Sequence, residues 1–134
     1  MSKLVLTNAA VRIGTTNISN YVASVTLTTS AAEVETTSFG SGGAVTRVGG
    51  LKDGSLALDI HTGYPTIDAL LYPLLGSTVA FEVWPNGTAT GTANPKYSGT
   101  VLITELTPIA GAVGELATQS VTFPTVGTVT RGTA

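Results

Sequence analysis

Gly54-Ser55-Leu56-Ala57-Leu58-Asp59-Ile60 alternates apolar with small or polar side chains. On an extended chain, successive side chains point to opposite sides, so Leu56, Leu58 and Ile60 would share one face. A strictly alternating pattern of this kind is typical of a half-buried strand, with one side on a core and the other in water. The stretch therefore predicts a sheet protein whose core is built from one face of each strand.

The same alternation recurs on both sides of this stretch. Threonine and valine are abundant along the chain, and both residue types favour strands. The pattern predicts strands over 21–28, 33–38, 54–60, 77–84, 97–106 and 116–123, with shorter ones over 4–6, 11–13 and 126–129. We expect a single domain over 1–134 with a long glycine-rich loop at 38–52 and terminal arms at 1–13 and 125–134.

One segment breaks the strand pattern. Between Tyr64 and Gly76 the apolar residues fall at the spacing of an amphipathic helix. We expect a helix over about 66–75 with Thr66 as its N-cap, and Pro73 should end the regular α-helix near Tyr72. Its core-facing stripe would be Ile67, Leu70, Leu71 and Leu74. The predicted fold is mainly β: an antiparallel β-sandwich or barrel with one short flanking α-helix.

The composition excludes several functional classes. Only 10% of the residues are charged, the net charge is -2, and there is no cysteine. Disulfides and thiolate metal sites are therefore excluded, and so is the basic footprint of a typical nucleic-acid binder. A surface with few charges has little repulsion against association. We therefore expect much of it to be interface.

Residues with catalytic potential are few. His61 is the only histidine, and Asp59 would share its face of the strand. A strand-end histidine at a turn is a simpler interpretation than a catalytic pair. Glu33 and Glu35 would also share one face, as a glycosidase pair would require. The chain lacks the aromatic cleft residues that sugar binding favours, so an acidic edge strand is the favoured interpretation. We predict that the protein is not an enzyme and binds no metal or cofactor.

Three stretches resemble the major tail tube proteins of long-tailed (siphovirus-type) bacteriophages. They are Val25-Thr26-Leu27, the run from Ala32 to Gly40 that contains VETTSFG, and Gly50 to Leu58, which reads GLKDGSLAL. In that family a strand ends in a V-(D/E)-T-T-x-F-G run, and after a loop a G-L-x-D-x-S-L-x-L run opens the next strand. The segment from Ile67 to Gly76 is similar to the single helix of the family.

The resemblance implies a virion structural protein of the phage tail, present in the host cytoplasm during assembly. Six copies would close into a ring, and stacked rings would form a tube through which DNA passes. The partners would be other copies of the chain, the tape measure and terminator proteins, and DNA in transit, with no membrane. Inter-subunit contacts would come from Phe39, Gly40, Gly42, Gly43, Arg47, Gly50 and Leu51, with Glu33, Glu35 or Glu82 facing the lumen.

Other functions are compatible with the same composition. A capsid decoration protein, or another phage structural protein, would share the low charge and the β content. A carbohydrate-binding or adhesive β-sandwich belongs to a different class. The low number of aromatic residues, with one tryptophan and four tyrosines, argues against it. Electron microscopy of the purified protein would separate stacked rings from compact trimers and monomers.

Overall fold

The computed structural model describes residues 5–6, 8–87 and 94–133. This part of the chain is mainly β, with one short segment that contains an α-helical turn, and with two separate 3-10 turns, Ser19–Tyr21 and Phe39–Ser41. The strands are β1 (Ala10–Ile13), β2 (Thr16–Asn17), β3 (Val22–Glu35), β4 (Arg47–His61), β5 (Thr78–Trp84), β6 (Lys96–Leu102) and β7 (Thr118–Gly132). All the strand pairs are antiparallel, in the order β2-β1-β5-β6-β7-β4-β3. The predicted fold class is therefore confirmed.

The last strand, β7, connects two walls of this sheet. Its first half, up to Pro124, pairs with β4, and its second half, from Thr125, pairs with β6. Pro124 lacks a backbone N–H, and it lies where the strand changes partners, a position at which proline is tolerated. The wall formed by β3, β4 and the first half of β7 therefore continues into the wall formed by the other strands, as in a β-sandwich.

The core lies between these two walls. Its members are apolar side chains that alternate along the strands, and burying each of the larger ones contributes roughly 1.5–3 kcal/mol to folding. The buried cluster comprises Val11, Ile13, Ile18, Leu56, Leu58, Ile60, Ile67, Leu71, Phe81, Val83, Val101, Ile103, Val121 and Phe123. Leu56, Leu58 and Ile60, the row that first indicated a sheet, are all within it.

The helical segment lies over 64–74 and is irregular. A π-helical turn (Tyr64–Asp68) leads into one α-helical turn (Ala69–Leu71) and a 3-10 turn (Tyr72–Leu74). The prediction that the regular α-helix ends near Tyr72 is thus confirmed. The predicted N-cap at Thr66 is wrong because the segment starts at Tyr64, after Gly63. Within the predicted stripe, Ile67 and Leu71 are buried, and Leu70 and Leu74 are half-buried against the core.

Two predicted strands are one strand in the structure. The segments at 21–28 and 33–38 were predicted separately, but β3 continues through Ser30-Ala31-Ala32 to Glu35. No glycine or proline interrupts this stretch, and a register shift between Ala31 and Glu33 accommodates it against β4. The prediction that the glycine-rich loop runs to residue 52 is also wrong, because β4 begins at Arg47.

The predicted terminal arms are wrong where the structure describes them as strands. Ala10–Ile13 of the N-terminal segment forms β1, and Ala10, Val11 and Ile13 are buried. The C-terminal segment from Thr125 to Gly132 belongs to β7 and pairs with β6. The short strand predicted over 4–6 lies partly outside the described residues, and Val5 and Leu6 belong to no strand.

Candidate assembly surface

A two-stranded hairpin extends from the body of the domain over residues 29–53. The ladder between β4 and β7 ends at Ser55 and Pro124. Beyond that point β4 pairs only with β3, as far as the Glu35–Arg47 pair. We call residues 29–53 the hairpin arm. An isolated two-stranded hairpin is at best marginally stable in water, so an arm of this length is expected to need further contacts.

The tip of the hairpin arm, 36–46, is held by its own hydrogen bonds. The Thr36 amide donates to the Thr46 carbonyl at 2.8 Å, and the hydroxyls of the two threonines lie 2.9 Å apart. The Ser38 amide donates to the Ser41 hydroxyl at 3.1 Å, and the Ser41 amide donates to the Ser38 carbonyl at 3.0 Å. Part of the predicted glycine-rich loop is therefore a hydrogen-bonded turn in the structure.

Two of the predicted loop glycines are required by this turn. Gly42 and Gly43 have φ values of 65° and 86°, a region that residues with a Cβ atom rarely adopt. Gly40 lies beside Phe39 in the 3-10 turn, without a positive φ. The turn places the Phe39 side chain wholly in solvent, with a relative exposure of 108%.

Apolar side chains are exposed along the whole hairpin arm. They are Val34, Phe39, Val45, Val48 and Leu51. Val34 and Val48 are directly paired across the two strands. A Cβ atom at Gly50 would lie 2.8 Å from the Val34 Cγ2 atom, so glycine leaves room for that valine. Clustered apolar side chains on a protein surface mark an interaction site.

The charged residues of the hairpin arm pair with one another. The Arg47 Nε atom forms an ion pair with the Glu33 carboxylate across the strands. Arg47, predicted to contact a neighbouring subunit, therefore already has a partner within its own chain. Glu33, predicted as a lumen-facing acid, is likewise paired, whereas Glu35 is exposed at the end of β3.

The third predicted acid, Glu82, belongs to a mixed charge cluster on β5. Its carboxylate lies 2.9 Å from the Arg12 guanidinium and 3.2 Å from the Lys96 ammonium. The same two cations lie over the Trp84 ring, at 5.8 Å and 4.9 Å from its centroid. Such cation–π contacts stabilise a partly desolvated site. Glu82 therefore presents no uncompensated negative charge.

An apolar groove of about 350 Å³ opens beside Trp84. Its lining includes Leu6, Val25, Leu27, Trp84, Pro85 and Tyr97, so β3 forms one side and β5 and β6 the other. We call it the Trp84 groove. Trp84 is 7% exposed, and its indole N–H is buried without an acceptor among the described residues. Sequence reasoning missed this groove because its two sides are far apart in the chain.

A second apolar surface follows β6. Residues 103–117 form no helix or strand, although the sequence predicted strands up to 106 and again from 116. Ile109, Val113 and Leu116 are exposed in this loop. The loop is anchored by Gln119, whose buried side chain accepts a hydrogen bond from the Thr107 amide at 3.0 Å. Pro108 and the glycines at 111 and 114 were the sequence signal for a loop.

The residues considered for catalysis do not form a catalytic arrangement. The Ser120 hydroxyl donates to Asp59 at 2.6 Å, so Asp59 is paired with a serine on β7. His61 lies at the end of β4, as its position predicted, and its buried Nδ1 atom has no hydrogen-bond partner among the residues that the structure describes. Within the described ranges, no three His, Asp or Glu side chains are close enough to hold a metal ion. In the same ranges no helix is long and apolar enough to cross a membrane.

Comparison of the sequence with protein-family models and with curated proteins finds no match.

Proposed function

We propose that the protein is a structural subunit that assembles with copies of itself, and that it is the major tail tube subunit of a long-tailed bacteriophage. The observation that carries the first part is the hairpin arm, whose strands and tip together expose Phe39, Leu51 and three valines that the body of the domain does not cover. The second part rests on the resemblance of the VETTSFG and GLKDGSLAL stretches to that family.

Assembly supplies the contacts that the hairpin arm lacks. A surface on one copy that meets a different surface on the next forms a heterologous contact, which generates a ring when the rotation closes and a filament when it does not. Each copy repeats the same contact, so a modest interface per copy is sufficient. The exposed loop at 103–117 offers a second apolar surface for the same purpose.

The outer face of the wall formed by β3, β4 and β7 suits the lumen of such a tube. Over 22–28, 54–61 and 118–124, Asp59 is the sole Asp, Glu, Lys or Arg. Serine and threonine are the main exposed side chains there, namely Ser24, Thr26, Thr28, Thr118, Ser120 and Thr122. Each cation on a phosphate strengthens DNA binding, so these three stretches, which contain no lysine or arginine, would let DNA slide. In this proposal Asp59 replaces Glu82 as the lumen-facing acid.

The other partners follow from the position of a tube in the virion. The tape measure would occupy the lumen before DNA does, and the terminator would contact the last ring. The tape measure would thus meet the lumen-facing wall, and the terminator would meet the surfaces that copies of the chain use for stacking contacts. The subunit would be made in the host cytoplasm and would end in the tail of the virion.

Negative-stain electron microscopy of the purified protein tests the proposal. Stacked rings with a central channel are expected at high protein concentration. A variant in which an Asn-Gly turn replaces residues 36–46 should remain folded, because that dipeptide closes a hairpin at the Glu35–Arg47 pair, and it should lose the stacks. Compact trimers would favour a decoration protein instead, and monomers that bind glycans would favour an adhesin.

A matched control removes apolar side chains elsewhere. The triple variant Ile109→Ser, Val113→Ser and Leu116→Ser alters the other exposed apolar surface without shortening the hairpin arm. If this variant loses assembly and the arm-shortened protein still stacks, the hairpin arm is not the assembly element.

A further inference from the structure

We propose that the Trp84 groove receives Phe39 from the hairpin arm of a second copy of the chain. This inference rests on the proposed self-assembly and names the two surfaces that meet. One is the fully exposed phenyl ring at the tip, and the other is the apolar groove between β3 and β5. The contact is heterologous, since the tip of one copy meets the body of the next.

The groove has the size and chemistry that a phenyl ring requires. A cavity of about 150 Å³ is enough to hold benzene, and the Trp84 groove measures about 350 Å³. Leu27, Trp84 and Tyr97 supply apolar and aromatic contacts. Aromatic side chains seated in such pockets are the usual energetic centres of protein interfaces.

The indole N–H of Trp84 is a buried donor in a residue that lines the groove. Trp84 is more than nine-tenths buried, and its Nε1 atom has no acceptor among the described residues. A buried donor without an acceptor costs free energy.

The Phe39 side chain that fills the Trp84 groove must come from another copy, because the tip of the arm lies far from the groove of its own copy. Thr29 lines the Trp84 groove and is also the first residue of the hairpin arm. Extended strands rise about 3.3 Å per residue, so Glu35 lies about 20 Å further out, and the tip lies beyond it. Because the arm is a paired ribbon that leads away from its own groove, its tip meets the groove of a neighbour.

Charge favours the same pairing. The groove is flanked by Arg12, Lys96 and Glu82, which sum to two positive charges minus one, or +1. The arm between 33 and 47 carries Glu33, Glu35 and Arg47, which sum to one positive charge minus two, or -1. Complementary charges around an apolar centre increase the association rate and fix the orientation of the partners.

Engineered cysteines test the contact directly, because the natural chain contains no cysteine. One protein carries Gly40→Cys, next to an intact Phe39, and a second protein of different size carries Thr29→Cys at the groove. Under mild oxidation the mixture should give a mixed disulfide on a non-reducing gel. The yield should fall at least about tenfold when Phe39→Ala is added to the first protein, as expected for a central interface residue.

Two controls separate this contact from random collision and from another occupant. Thr122→Cys, exposed on β7 and outside the lining of the groove, should give no more mixed disulfide than collision does. A protein carrying Val113→Cys represents the loop at 103–117, where Val113 is as exposed as Phe39. If this protein, and not Gly40→Cys, reacts with Thr29→Cys, the loop fills the groove and the proposal fails.

Tryptophan fluorescence gives an independent measurement, since Trp84 is the single tryptophan. Its emission should shift with protein concentration in the unmodified chain and in Val113→Ala, but not in Phe39→Ala. An unchanged concentration dependence in Phe39→Ala would overturn the proposal. Stacked rings without the mixed disulfide would leave the proposed function standing and refute the groove contact. The mixed disulfide without stacked rings would support the groove contact and refute the proposed function.

Discussion

A Cβ atom at Gly54 would lie 2.7 Å from the Thr28 carbonyl oxygen, so β3 and β4 meet backbone to backbone where the hairpin arm leaves the body. Thr125 of β7 lies against the same position, with its Oγ1 atom 3.2 Å from that Cβ site. Three strands therefore converge on a residue that has no room for a side chain.

Gly54→Ala should consequently destabilise the domain. The added methyl would press on a backbone atom that cannot rotate away, and overpacking of this kind costs about 1–3 kcal/mol. Urea unfolding measures the change in the free energy of unfolding. Gly49→Ala on the same strand is the control, because its Cβ would meet nothing within 4 Å. Equal stability of the two variants would contradict the convergence described above.

Phe123→Ala should be the more damaging of two phenylalanine truncations. Phe123 is 0% exposed in the core, so its loss should leave a cavity and cost about 3–5 kcal/mol. Phe39→Ala should change the stability of the monomer by less than about 0.5 kcal/mol, because Phe39 is wholly in solvent. Thermal unfolding at low protein concentration compares the two. A large loss in Phe39→Ala would mean that the tip packs on its own body.

Glu82→Gln should weaken the domain by about 1 kcal/mol, because the carboxylate serves both Arg12 and Lys96 at a partly exposed site. The difference should shrink in 1 M salt, where charges are screened beyond about 3 Å. Denaturation at low and high salt checks this. Glu105→Gln is the control, since Glu105 has no ion pair among the described residues. A salt-independent loss would indicate a packing effect instead.

Gln119→Leu should loosen the loop at 103–117. The substitution removes the acceptor of the Thr107 amide and leaves that donor unpaired, at a cost of about 1–3 kcal/mol. Hydrogen exchange at Thr107 should accelerate, and the stability should fall. Ser120→Ala removes a hydrogen bond on the exposed side of the same strand and should leave Thr107 unchanged. Unaltered exchange in Gln119→Leu would show that the loop is held elsewhere.

Much of the fold was predictable because it depends on local periodicity. The alternation through Leu56, Leu58 and Ile60 identified a strand whose inner face is buried. The helical spacing of Ile67 and Leu71 similarly identified two side chains that pack into the core. In both cases the spacing along the chain determines which side chains share a face.

The hairpin arm was not predictable from propensity alone. Gly49 and Gly50 disfavour a strand, and their presence led to the prediction of a loop through 52. Pairing with β3 supplies backbone hydrogen bonds, and these stabilise a strand conformation that the two glycines do not favour by themselves. The groove beside Trp84 was missed for a related reason, because it exists only where Leu27 of β3 comes opposite Trp84 of β5.

The sequence by itself determined that this is a β protein with one short helix, because each pattern is complete within a few neighbouring residues. It also determined the low surface charge and the absence of thiol chemistry. The tertiary structure alone decided the length of the hairpin arm, the change of partner along β7 and the groove. These features depend on contacts between residues far apart in the chain, and such contacts override local preference wherever they bury apolar surface or complete a hydrogen-bond ladder.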